Sequence, residues 1–292
     1  MKTALNITPI TPAEIEQKLS EHLQALAGPR DPFLASGAHQ LTQQYIRAEL
    51  ARWGGVTSEE FDSRGQTYCN WQTMVIGSQP RLAPFLVGAH YDTVPGSPGA
   101  DDNASGVATL LLLAELLSVA QPPKRSVHFV AFDLEEYGLV GSTACAQTWR
   151  SHSRPLHLML SLEMLGYFTE KSNSQQYPLE ILSKLYPDKG NFIALIGNAK
   201  TIPKMRRLKQ CLKLFDAPCQ WLPVLNQGNQ IPLTRNSDHS PFWDVGYSAL
   251  MVTDTAHLRN PHYHKATDTI DTLNIAMMTK ITQGLAAYLS SE

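Results

Sequence analysis

The chain has 292 residues, 43% of them hydrophobic and 17% charged, with a formal net charge of −2. That composition suits one sizeable globular core, and scattered Lys and Arg in near balance with Asp and Glu exclude nucleic acid or an anionic membrane as the expected partner. Four cysteines (Cys69, Cys145, Cys211, Cys219) are too few and too irregularly spaced for a disulfide framework or a Cys-based zinc site, and only a Cys211–Cys219 bridge stays open for an oxidising compartment.

The opening MKTALNITPITPAEIEQKLSEHL lacks the continuous apolar segment of a signal peptide. No run has the ~18 apolar residues of a membrane span, so a cytoplasmic location is expected. Asn6 and Asn103 stand in glycosylation sequons, which read as chance without a secretory signal. Thr11 caps a predicted helix with Pro12 at its first position, running to about Leu26. A second helix is predicted over residues 37–53, where Leu41, Tyr45, Ile46 and Leu50 recur at helical intervals. Strands are predicted at 56–61, 68–76 and 84–89, then a helix after Asn103 and a buried-strand run, SVHFVAFD, at 126–133. Another helix follows Gly141, then the strand-like run LHLMLSLEML at 156–165. Residues 166–190 have no period and read as a long loop of the functional kind. A strand at 192–196, a helix at 202–215, a strand at 248–254 and a closing helix at 272–289 complete the chain. Strands alternating with helices predict a single α/β domain over residues 1–292, with a mostly parallel mixed central sheet and helices on both faces.

In such a sheet the functional crevice lies beyond the carboxyl ends of the strands. His90 and Asp92 follow the 84–89 strand, and Asp101 and Asp102 precede a helix. Glu135 and Glu136 follow SVHFVAFD, Glu163 lies in the 156–165 run, and His257, His262 and His264 follow the 248–254 strand. Singly each has a bland reading: Asp101-Asp102-Asn103 as a helix cap, Glu135-Glu136 as a solvated pair, His-x-Asp as a surface hydrogen bond. Glu163 differs, because an unpaired carboxylate in an apolar strand is costly to bury. Recurrence at successive strand ends favours one shared site. Histidines mixed with carboxylates and no Cys suit zinc. The surplus of acids over one tetrahedral set points to two ions sharing a bridging carboxylate, about 3.5–4 Å apart. No nucleotide motif accompanies the glycines at 96, 99 and 106.

Four blocks, GAHYDTVPGSPGADDNASGVA, DLEEYGLVGS, SLEMLGY and NPHYHKATDT, supported by SDHSPFW at 237–243, resemble those of the co-catalytic zinc aminopeptidases. These are bacterial leucyl-type enzymes with glutamate carboxypeptidases and glutaminyl cyclases as relatives. The blocks keep the family's order from about residue 85 onward, and the first ~80 residues match only loosely. The resemblance implies that His90 binds one metal, that Glu136 and His264 bind the other, and that Asp102 bridges the two. Glu163 stands where the family usually has Asp as the third ligand of the first metal. Glu135 would be the general base, Asp92 would orient His90 from behind, and Tyr263 is a candidate donor to a developing oxyanion. Asp101, Asp238, His239, His257, His262 and Asp268 receive supporting or structural parts. The implied cofactor is zinc, two ions per chain, and the implied substrate is a peptide with a free N-terminus. Rival readings are a single-zinc glutaminyl cyclase, a non-catalytic metal- or peptide-binding module, and a carboxypeptidase for acidic dipeptides using Arg235 and Arg259. The pocket wall is expected from 166–190 and 224–236, with Tyr167, Phe168 and Phe242 as its apolar candidates.

Overall fold

A computed structural model describes residues 10–292; the Asn6 sequon and the start of the segment tested for a leader lie outside them. Helix α1 (Pro12–Leu26) begins where the sequence places it. Thr11 and Glu14 form a reciprocal capping box, satisfying two of the helix's free N–H groups. In α2 (Ser36–Ala51) the buried face is His39, Thr42, Ile46 and Leu50, whereas Leu41, counted toward the apolar stripe, is 66% exposed. Strands β1 (Thr57–Ser63), β2 (Gln66–Val75) and β3 (Phe85–His90) follow, then α3 (Gly106–Val119), β4 (Val127–Phe132), α4 (Val140–Ser151) and β5 (Leu158–Glu163). The 166–190 loop holds one short helix, α5 (Glu180–Ser183). Then come β6 (Ile193–Asn198), α6 (Ile202–Lys213), β7 (Cys219–Val224), α7 (His239–Asp244), β8 (Ala249–Thr253) and α8 (Ile275–Ser291).

Neither β7 nor α7 was predicted. Strand β7 carries Pro223 in a short sequence without alternation, which demotes a strand reading. Helix α7 is six residues with Pro241 inside, too short to show a period.

The eight strands form one mixed sheet in the order β1-β2-β4-β3-β5-β8-β6-β7. Strands β4, β3, β5 and β8 run parallel at its centre. Strand β6 reverses against β8 and pairs in parallel with β7. The central strands are buried almost throughout, yet their residues divide by parity. Phe85, Val87, Phe129, Ala131, Leu158, Leu160 and Leu162 join a core under α1, α2, α3, α6 and α8. Leu86, Val130, Phe132 and Met159 join a smaller core with Trp149 of α4 and Phe242 and Trp243 of α7. A continuous hydrophobic run is what two-sided burial of a parallel strand demands.

Helix α3 is buried from Gly106 to Leu117, as its all-round apolar sequence requires. The stretch Ala100–Val119 is long and apolar enough by composition to cross a membrane, but 89% of its window is buried within the domain, which makes it a core helix. The one acid of α3 itself, Glu115, pairs with Lys18 of α1 at 2.9 Å. All four cysteines are free, so the open Cys211–Cys219 bridge is not formed.

On β4, His128 packs edge-on against Trp149 at 5.0 Å between ring centroids. Burial, then Arg154, pushes its pKa down from 6.5 to about 4. Between those values the unfolded chain binds a proton that the folded protein refuses, so acid favours unfolding through this group as pH falls below about 6.5. Urea unfolding at pH 7.5 and pH 4.5 checks this with His128→Phe. The stability difference between variant and wild type should move in the variant's favour by about 1–3 kcal/mol at the lower pH, and a difference independent of pH would contradict it.

Candidate metal centre

His90 ends β3 and Glu163 ends β5, both on the face of the sheet that bears α4 and α7. Parity puts them there, since His90 shares its face with Leu86, and Glu163 with Met159. Asp102 comes from the irregular turn 100–105 before α3, Glu135 and Glu136 from the loop after β4, and His264 from the loop after β8. Four strand-end loops thus meet at one point, as an open α/β sheet favours.

Asp102 stands between the two histidines. Its Oδ1 lies 3.3 Å from His90 Nε2, and its Oδ2 lies 3.1 Å from His264 Nε2. Glu163 Oε2 is 3.6 Å from His90 Nε2, and Glu136 Oε2 is 3.2 Å from His264 Nε2. Two groups able to hold an ion follow, His90–Asp102–Glu163 and Asp102–Glu136–His264, and they share Asp102. A third, His90–Glu135–Glu136, also converges, so Glu135 faces the same space.

The donor chemistry fits a divalent cation. Carboxylates crowd around two imidazoles in a buried setting, where like charges cannot stand uncompensated. Glu136 Oε1 is buried without a hydrogen-bond partner. Burial lifts Glu135 well above the usual carboxylate range; His90 opposes the shift, and Glu163 and Glu136 add to it. Burial, then Asp102, lifts Glu136 to about 7. Burial would depress His264, but hydrogen bonds to Asp102 and Glu136 outweigh it and raise it to about 10. His90 likewise rises against the pull of burial, through Glu135 and Glu163. Burial would raise Asp102 too, yet His264 and His90 hold it low. The crowding that favours a bound proton here favours a bound cation equally, and metal binding at such a site is coupled to proton release. Imidazole and carboxylate without thiolate is a zinc donor set.

The supporting contacts are dense. Asp92 accepts hydrogen bonds from the backbone N–H of Glu135 (3.0 Å) and Glu136 (3.1 Å), so it sets the paired glutamates as well as standing behind His90. Its Oδ1 is 3.4 Å from His90 Nδ1, close enough for charge pairing but off the line of a hydrogen bond, because Nδ1 has no aligned partner. Asp268 accepts from Asp101 N (2.9 Å) and Asp102 N (3.1 Å). Asp101 points away from the centre, accepting from Gly166 N and Asn260 Nδ2. Asn103 bonds Leu162 O and Met164 N, tying the Asp102 turn to β5. At Gly106 a Cβ would lie 2.5 Å from Leu162 O, so only glycine lets the start of α3 approach β5 this closely. His239 is bonded to Thr234 O through Nε2, and His262 to Thr267 through Nδ1; both order loops.

Two supports were missed in the sequence. Arg30, 1% exposed, donates to the carbonyls of Tyr91, Leu26, Gly28, Pro98 and Gly99, clamping the loop between His90 and Asp102. Ser237 donates to Glu163 Oε2 at 2.8 Å and meets Ser161 Oγ at 2.7 Å. It was visible only as the first residue of SDHSPFW.

A cavity of about 340 Å³ opens onto Asp102, Glu135, Glu136 and Glu163 and extends over β8, β6 and β7. Residues 175–186 and 233–236, inside the two expected stretches, form part of its wall, and Gly138, Leu139 and 255–258, which were not expected there, complete it. The aromatic residues differ, however. Phe242 is fully buried in the core between α7 and the sheet, Tyr167 packs on His262, and Phe168 lies against the core on the other face. Tyr177, Tyr186 and Phe192 take their place in the wall. Tyr263 also lines the cavity and stacks on His264 at 3.7 Å.

Residues 73–289 match the profile of Peptidase family M28. The chain belongs to that family and is a metal-dependent peptidase whose donor set suits zinc. It is 36% identical to the uncharacterized protein YfbL of Escherichia coli (strain K12), over 98% of this chain and 91% of that one. It is 30% identical to aminopeptidase YwaD of Bacillus subtilis (strain 168), over 63% of this chain but only 36% of the relative. The structure of LapA from Legionella pneumophila superposes with a TM-score of 0.73, covering 98% of this chain and 75% of LapA at 20% identity, a likeness of fold.

Ser237 is expected to hold Glu163 toward His90. Chelator competition should show Ser237→Ala weakening zinc binding by about 10- to 100-fold, with circular dichroism unchanged. Wild-type zinc affinity in the variant would contradict that part for Ser237.

Proposed function

We propose that the protein is a two-zinc aminopeptidase that removes single residues from peptides with a free N-terminus. The observation that carries the two-ion reading is Asp102, whose two oxygens face different histidines. Support for aminopeptidase action comes from membership of a peptidase family and from the likeness to a Bacillus relative named an aminopeptidase. His90, Asp102 and Glu163 would hold one ion, and Asp102, Glu136 and His264 the other.

Zinc bound there would supply water acidified toward neutral pH and a Lewis acid for the scissile carbonyl. Glu135 is the group left to move protons. It faces the same space as His90 and Glu136, and its raised proton affinity suits a base that takes a proton from attacking water and returns it to the leaving amine. Asp92 fixes the backbone of Glu135 and Glu136 together, so base and ligand keep their relative positions. The Tyr263 hydroxyl, held protonated by burial and then by the nearby carboxylates Asp102 and Glu136, would donate to a developing oxyanion. The cavity beside them takes the N-terminal side chain.

The rivals fare less well on particular residues. A carboxypeptidase for acidic dipeptides needs a free cation in the pocket. Arg235 is held by Asp244 and Gln227 O. Arg259 is buried against Gln175 and Phe192 O. A single-zinc cyclase leaves one side of Asp102 and one histidine unused. A binding module has no use for Glu135.

With dipeptide substrates, Glu135→Gln should lower kcat/KM by about 10²- to 10⁴-fold while its zinc content stays at the wild-type level. N-acetylated dipeptides should resist the wild-type enzyme. Turnover of acetylated substrates at the rate of free ones would defeat the aminopeptidase reading.

A further inference from the structure

The cavity has a floor that can be read strand by strand. Glu163 pairs with Thr253, Thr253 with Ala194, and Ala194 with Gln220. One row of side chains therefore crosses the sheet from a metal-facing carboxylate to an amide. At ~4.8 Å per strand, Gln220 lies three strand spacings, about 14 Å, from Glu163. The next row, Met251, Ile196 and Leu222, is apolar. On β6 the small Ala194 sits between Phe192 and Ile196, so the floor dips there. The walls above it are Tyr177 and Tyr186, whose rings stack at 6.0 Å. Their hydroxyls are already spent on Pro187 O and Trp221 O, so they offer faces and no free donor. Gln220 lines the cavity, and its side-chain amide makes no hydrogen bond to the described residues.

We infer that this pocket selects a tyrosine at the substrate's N-terminus, with Gln220 as the specificity-determining residue; the inference rests on the aminopeptidase reading above. Leucine extends three carbon–carbon bonds beyond Cα, under ~4 Å, and leaves the recess empty. A phenyl ring fills the slot between the tyrosine faces and the Met251–Ile196–Leu222 row, with the stacking geometry aromatic pairs favour. A para-hydroxyl on that ring reaches along the row toward the Gln220 amide at its far end. A lysine or arginine side chain would carry its charge into a pocket whose carboxylates all lie at the metal end, where no acid faces it. The half-buried Gln220 amide rewards a substrate that pairs with it over one that covers it without a partner.

The test compares Tyr-Ala, Phe-Ala and Leu-Ala as substrates of the zinc-loaded wild type, Gln220→Leu, Gln220→Asn and Ala194→Leu. The wild type should favour Tyr-Ala, then Phe-Ala, over Leu-Ala. Gln220→Leu and the shorter Gln220→Asn should each lower the Tyr/Phe ratio of kcat/KM by about 3- to 10-fold. Because the ratio is taken within one variant, differences in folding or zinc loading cancel. Ala194→Leu should shift preference from the aromatic substrates toward Leu-Ala. A wild type that favours Leu-Ala, or a Tyr/Phe ratio that neither Gln220 variant moves, would overturn the inference and leave the aminopeptidase reading standing. No release of amino acid from any of the three by zinc-loaded wild type would overturn both.

Discussion

A single buried carboxylate with two unlike faces organises this molecule. Asp102 is 4% exposed and touches both His90 and His264 through different oxygens. Such a group cannot be left to swing, and none of its surroundings lets it. Asp268 takes the N–H groups of Asp101 and Asp102. Asn103 binds the same turn to β5. Every guanidinium nitrogen of Arg30 donates to a backbone carbonyl, and three of the five carbonyls lie in the preceding loop. Hydrogen bonds to a buried charged group stabilise more than neutral ones and cost more to lose, so the turn before α3 is held to one geometry.

The sheet divides its labour along its width. Over β4, β3 and β5 both faces are covered by helices, and the result is rigid core. Over β6 and β7 the face that bears α4 and α7 elsewhere is covered by loops and the one-turn helix α5, and there the cavity forms. The reversal of β6 against β8 brings two more strands beside Glu163 without adding another crossover helix on that face. Metal-facing carboxylates and the pocket floor are thus neighbours in one hydrogen-bonded sheet. A side chain bound in the pocket is positioned by the same ladder that positions Glu163.

Much of the centre was legible because its chemistry sits at strand ends. His90, Asp92 and Glu163 are polar residues closing apolar runs, and burial forces a reason on each. The paired glutamates and the Asp-Asp-Asn turn became meaningful only in company. The pocket was not legible, for a physical reason. Its walls depend on which half of the sheet lacks helices, and that is decided by strand order. Phe242 looked like a wall residue by chemistry, but α7 turns it into the core it forms against the sheet. Arg30 left no trace because its partners are carbonyls, which every residue possesses. Strand β7 and helix α7 were hidden by Pro223 and Pro241, which tertiary packing tolerates at a sheet edge and inside a single short turn.

The most direct test of the central claim is zinc-edge anomalous diffraction from crystals of the zinc-loaded protein. Two peaks about 3.5–4 Å apart should flank Asp102, one within reach of His90 and Glu163, the other of Glu136 and His264. A single peak at full zinc occupancy, with Asp102 engaged through one oxygen only, would contradict the shared-carboxylate account.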